Sequence, residues 1–321
     1  MKILIHISRL IVSLTFIFSG FVKLVDPLGS TYKFQEYFGA DVLNLEFLIP
    51  YALPFSIILI LAEIMLGVML LVGYLPKLTV WSLLGIILVF LFLTWYSAYY
   101  NKVTDCGCFG DAVKLSSWGT FYKNIVLIAF IAILVIGVKE IKPLFNISVA
   151  KWSSFLSFFL FLYIIYYVLV HLPLIDFRPY AIGKNIPDGM EYVGDIEPPI
   201  HDFYLESSDG EDLTTSILQG DKVMLVVAYN LSVSDKEGFS NIKVVTDKAI
   251  DNGYLVYALS SSLNEEFSEI KNTYNLNFDM LFGDETMLKT IIRSNPGVIT
   301  LQNGTVMGKW SWVDVSKLDF K

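Results

Sequence analysis

The sequence predicts two fold classes joined end to end: a membrane all-α helical bundle, made of a four-helix unit plus a fifth transmembrane helix, followed by a soluble α/β domain. Three observations lead there. Of the 321 residues, 55% are hydrophobic and 17% charged, with a mean hydropathy of +0.59, whereas soluble domains carry charge on about a quarter of their residues. The charge is unevenly divided: through Pro173 there are 11 Lys and Arg against 8 Asp and Glu, near +3, and from Leu174 onward 12 against 23, near −11. The hydrophobic periodicity also changes, from long unbroken apolar runs to short alternating ones. A bilayer is therefore the first partner, and the acidic tail argues against nucleic acid.

A span needs about 20 apolar residues, and five stretches meet that length, near 7–25, 52–72, 78–98, 121–138 and 155–172. The first, after Lys2, has features of a signal peptide, but Arg9 interrupts it and no A-x-A site follows, so it is read as a retained span. With the N-terminus inside, the inner segments hold Lys2, Arg9, Lys77, Lys139, Lys142 and Lys151, with Glu140 as the sole acid. The outer lysines are mixed with acids. Five spans then export the tail, and the 99–119 loop faces the same side. The corresponding domains are 1–145, a fifth span within 146–175, a linker over 176–199 and a soluble domain over 200–321. Trp81, Trp95, Tyr96, Tyr99, Tyr100, Trp118 and Tyr122 lie near span ends and read as interfacial anchors.

The first outer loop places Phe34, Tyr37 and Phe38 at helical spacing before Gly39, which predicts a short amphipathic helix lying in the outer interface. Within the spans two charges stand out. Glu63 sits near mid-depth, where an unpaired carboxylate is costly, so it must be protonated, paired or turned to a polar cavity. Arg9 is shallower, and only its long side chain could bring it toward Glu63. Lys23 lies closer to the outer surface, where it can snorkel, with Asp26 near. Glu63 and Arg9 are thus candidates for a polar cavity or a quinone site, set against a plain interhelical contact that fixes helix register.

Both cysteines of the chain fall in one outer loop, in Thr104-Asp105-Cys106-Gly107-Cys108-Phe109-Gly110-Asp111. Residues two apart form a disulfide only in a small distorted ring, which Gly107 eases through its backbone freedom. A strained, exposed bridge is readily reduced and suits thiol exchange. A structural clip, a metal site and thiols without a role stay open beside it. The clip gains little from so short a ring, and a metal would need about four ligands with no His near these thiols. Asp105 and Asp111 would raise a thiol pKa, and only Lys102 and Lys114 oppose them.

Ser8-Arg9, Phe18-Ser19-Gly20-Phe21-Val22-Lys23-Leu24, Ala62-Glu63-Ile64-Met65-Leu66-Gly67 and the Cys-Gly-Cys-Phe-Gly loop resemble DoxX-type membrane proteins, especially the branch that includes MauE, over about residues 1–145. That resemblance implies a four-helix bundle in a bacterial inner membrane, associated with thiol or quinone-linked redox chemistry or with disulfide formation in partner proteins. The fifth span and tail resemble a Bacteroidetes-type extension of the family. It leaves two readings: a thiol–disulfide oxidoreductase using Cys106 and Cys108 on a periplasmic dithiol, and a non-catalytic assembly subunit that docks another envelope protein. A transporter is the weaker third, because no inverted repeat or broken helix is apparent.

Residues 176–199 are rich in Pro, Gly and acids and read as a linker. Beyond it, strands are expected near 223–229, 254–260, 298–301 and 306–310, with helices near 236–251, 265–274 and 286–293 and a hairpin at Asn303-Gly304. This order, with Asn295-Pro296-Gly297 before a strand, is similar to thioredoxin-fold proteins over about 200–315. That resemblance implies a cis proline at Pro296 beside a redox centre after the first strand. Asn230-Leu231-Ser232-Val233-Ser234 stands there instead, without cysteine, leaving a scaffold that could bind a partner or peptide.

Overall fold

A computed structural model describes residues 1–103, 107, 109–113, 115–192, 194 and 197–320. It divides into two compact units, Met1–Val168 and Leu169–Lys321.

The first unit holds the helices α1 (Lys2–Val25), α2 (Pro27–Phe38), α3 (Ala52–Val72), α4 (Pro76–Tyr100) and α5 (Ser117–Ile136) and most of α6 (Ile147–Val170). All but α2 lie in the five segments long and apolar enough to cross a bilayer, and the chain is a multi-pass membrane protein. The fifth span begins at Ile147, earlier than its hydropathy suggested. The expected anchors Trp81, Trp95, Tyr99, Trp118 and Tyr122 are all exposed on the bundle.

Small residues set the closest helix crossing. A Cβ added to Gly20 would lie 2.8 Å from the Ile64 backbone nitrogen, and one on Gly67 would lie 2.9 Å from that of Ile17. These glycines let the backbones of α1 and α3 touch, which is how helices pack where lipid supplies no hydrophobic drive. Around that crossing Val12, Phe16, Leu70, Leu83, Ile87 and Ile131 form the bundle core. The short helix expected in the interface is α2, and it packs into the bundle. Asp26 caps it by accepting from the Gly29 amide at 3.1 Å, Pro27 starts it, and Tyr37 and Phe38 are buried.

The second unit is a mixed five-stranded sheet, β1 (Val223–Val227), β2 (Leu255–Ser260), β3 (Asp279–Phe282), β4 (Gly297–Gln302) and β5 (Thr305–Ser311), in the order β3-β2-β1-β4-β5. β1 pairs with β2 in parallel and with β4 antiparallel. The short helices α7 (Ile186–Met190) and α8 (Thr214–Leu218) precede the sheet; α9 (Lys236–Asp251), α10 (Asn264–Tyr274) and α11 (Glu285–Ile291) alternate with its strands. β1 is buried along its whole length because cores lie on both faces, one around Leu225 and Ile299 and one around Met224 and Phe239. Asn303 and Gly304, both at positive φ, turn the last hairpin. The unit is a mixed α/β domain, with a cis Asn295–Pro296 bond ahead of β4. The edge strand β3, at four residues, went unread in the sequence. Part of the stretch expected as a linker is core: Tyr180 and Ile186 are fully buried, and Asn185 bridges to Thr305.

Candidate functional site

Glu63 on α3 is buried, and its partner is Lys23 of α1, whose ammonium lies 2.7 Å from Oε2. Lys23 also donates to Ser19 Oγ at 2.8 Å, and Ser19 lies 3.3 Å from the same carboxylate oxygen. The expectation that Lys23 snorkels toward the surface is overturned. The side chain is only 6% exposed and turns inward, with its ammonium 5.6 Å from the Phe90 ring centre on α4. Asp26, read as its neighbour, caps α2. The family-like motifs thus explain one another physically: Gly20 and Gly67 bring α1 and α3 into contact, and that contact delivers Lys23 to Glu63.

Arg9 does not join them. Its guanidinium donates to Leu70 O at 2.9 Å, Leu71 O at 2.8 Å and Lys142 O at 2.9 Å. It therefore closes the end of α3, where the last carbonyls have no helical partner. Fourteen residues along α1 place Arg9 roughly 21 Å from Lys23, and seven along α3 place Leu70, which Arg9 grips, roughly 10 Å from Glu63, so the two candidate residues do not share a site.

Cys106 and Cys108 lie outside the described residues. Their neighbours are described: Gly107 has φ +63°, and a Cβ there would lie 3.1 Å from the Lys33 side chain of α2. Phe109 packs on Phe18 of α1, ring centres 5.4 Å apart, and the Lys123 ammonium of α5 stands 4.4 Å over its ring. Reading the sequence set only Lys102 and Lys114 against the loop's aspartates. Lys33 and Lys123 escaped notice because they come from other helices. Lys33 shares its charge with Glu36 at 2.8 Å.

Two cavities meet this cluster. A cleft with about 520 Å³ of free space, its open mouth included, is walled by Phe34, Tyr37, Leu59, Phe90 and Leu93, with Lys23, Lys33 and Gly107 among its lining. A smaller one lies between Ser19, Glu63, Ile87, Phe90, Lys123 and Asn124.

In the second unit, Asn295 organises the turn after β1. Its Nδ2 donates to Asn230 O at 2.8 Å, and its carbonyl accepts from the Asp235 amide at 2.9 Å. Ser232 and Ser234 occupy the turn, without a thiol. A separate charged cluster ties Asp176 to Arg178 at 2.7 Å and to Lys309 of β5 at 2.7 Å. Burial would raise the Asp176 carboxyl, but those two cations hold it below the usual carboxylate range. Burial, helped by Arg178, pushes the Lys309 ammonium down to about 7 against the pull of Asp176.

Residues 1–137 match the family model of methylamine utilisation protein MauE. The matched segment contains Lys23, Glu63, Arg9, Asn124 and the cysteine pair, and it ends before α6. Among solved structures, a thioredoxin-like protein from Aeropyrum pernix is 15% identical and covers 36% of this chain and 86% of its own, with a TM-score of 0.30. A secreted Mycobacterium tuberculosis disulfide oxidoreductase homologous to E. coli DsbE is 16% identical, over 33% and 80%, with a TM-score of 0.26. A thioredoxin-like protein from Bacteroides caccae is 12% identical, over 83% and 80%, with a TM-score of 0.30. No curated protein matches the chain.

Proposed function

We propose that this is a membrane thiol–disulfide redox protein in which Cys106 and Cys108 exchange a disulfide with an extracytoplasmic partner protein. The observation that carries the reading is the Lys123 ammonium brought from α5 to stand over Phe109 beside the cysteine pair, with the aliphatic stem of Lys33 against Gly107. A nearby cation favours the thiolate form of a loop cysteine, which in this exchange is the leaving group. A partner thiolate attacks one sulfur of the Cys106–Cys108 bridge and the other sulfur leaves. A second partner thiolate then attacks the mixed disulfide, so the partner leaves oxidised and the loop as a dithiol.

Re-forming the bridge releases two electrons and two protons, which is what reduction of a quinone consumes. The cleft beside Gly107 fits such a group: its walls are apolar and aromatic, and Lys23 and Lys33 bring N–H donors suited to carbonyl oxygens. Arg9, bonded to three carbonyls at the other end, has no part in that site. The thioredoxin-like unit has no cysteine in the turn after β1, so its role in this reading is to hold the partner. The matching location is a bacterial inner membrane, with the N-terminus cytoplasmic and the loop and tail periplasmic.

Alkylation trapping in membranes tests this. A reducible Cys106–Cys108 bridge is expected, and Cys106→Ser should abolish oxidation of the partner. If Cys106→Ser/Cys108→Ser behaves as wild type while loss of the tail does not, the chain is instead an assembly subunit that works by docking.

A further inference from the structure

The small cavity beside the ion pair poses a donor problem. Glu63 Oε2 takes both the Lys23 and Ser19 contacts, while Oε1 is buried with no hydrogen-bond partner. Asn124 of α5 lines the same cavity, is fully buried, and has its Oδ1 equally unmet. The orientation of that amide is fixed by its neighbour. Thr94 Oγ1 donates to Phe90 O at 2.8 Å, so toward Asn124 it can only accept, and Nδ2 must face it at 3.3 Å. Oδ1 is thereby left as the atom without a donor. Two acceptors now border one space with room for about one water. Leaving a buried acceptor unmet is costly in a low-dielectric interior, and a species with two donors meets both.

We propose that this cavity is a binding site for a single water, donating one hydrogen to Glu63 Oε1 and the other to Asn124 Oδ1. The charged groups facing Glu63 are Lys23 from α1 and Lys123 from α5; α4 contributes only Ile87 and Phe90 to the lining. Lys123 lines the cavity and also reaches over Phe109, so it joins the site to the end of the bundle that carries the 101–116 loop. The site stands independently of the cysteine chemistry, and the Cys106→Ser/Cys108→Ser chain is expected to bind the water as wild type does.

The full chain in lipid nanodiscs provides the test. A density map that resolves ordered water should show one peak within hydrogen-bond reach of both Glu63 Oε1 and Asn124 Oδ1. A dry cavity, or an amide turned the other way, overturns the site. Asn124→Leu removes one of the two acceptors and should abolish that peak, its folding checked by the unchanged Lys23 and Arg9 contacts in its own map. A peak that persists in Asn124→Leu overturns the assignment.

Discussion

Each unit buries a lysine against a carboxylate at 2.7 Å, Lys23 on Glu63 in the bundle and Lys309 on Asp176 in the α/β domain, yet the carboxylates end up in different chemical situations. Asp176 holds two cations, and Arg178 grips both of its oxygens, so the acid is saturated and acts as a fastener between 176–180 and β5. Glu63 has one cation, one hydroxyl and an oxygen left over. A saturated acid serves architecture; one with a spare acceptor in a cavity is open to chemistry.

The comparison can be broken by removing one partner at a time. Lys23→Met strands a carboxylate inside the bundle and should cost about 5 kcal/mol, the upper end for a broken buried pair. Lys23→Met/Glu63→Leu should recover most of that in a denaturant titration of the membrane-embedded chain. If the single and double variants are equally unstable, the pair is not what holds α1 to α3. Asp176→Asn should cost about 3 kcal/mol, the lower end, because Arg178 and Lys309 keep the Thr290 and Tyr180 carbonyls as acceptors. Limited proteolysis of the tail reads this out. Gly20→Ala is expected to cost about 2 kcal/mol, since its Cβ meets the Ile64 backbone rather than a side chain that could swing away. A thermal melt as stable as wild type would mean the helices cross elsewhere.

A further effect is that of pH on the second unit. The folded Asp176 carboxyl is lowered, so its contribution is present above the ordinary carboxylate value and is lost as pH falls through the lowered one. Lys309, at about 7 when folded against roughly 10.4 unfolded, binds its proton less tightly in the fold, so stability should rise from about pH 7 upward. Both slopes have the same sign. Tail unfolding followed from pH 3 to pH 10 should show no interval in which this cluster favours acid, and Lys309→Met should remove the alkaline rise.

How much of this the sequence displayed depends on where each constraint comes from. Spans, hairpin and Glu63 were legible because length, turn chemistry and a carboxylate in hydrocarbon are local facts. The partner of Glu63 was not. Lys23 looks superficial along the chain, but Asp26 and Pro27 immediately fold α2 back over the α1 end, and the lysine is roofed in. Arg9 was misdirected for a similar reason, since its acceptors lie 61 to 133 residues away. Lys33, Lys123 and Asn124 gave no signal, being ordinary residues until α2 and α5 converge on one end of the bundle. β3 was missed because four residues carry too little alternation to read.

Arg9 also bears on the order in which the bundle is made. Two of its acceptors belong to α3, but the third is the carbonyl of Lys142, which the ribosome delivers only after α5 is complete. Until then the guanidinium has α3 alone to grip. That end of the bundle is thus locked by the chain's own later product, and a nascent protein arrested before Lys142 should remain open there.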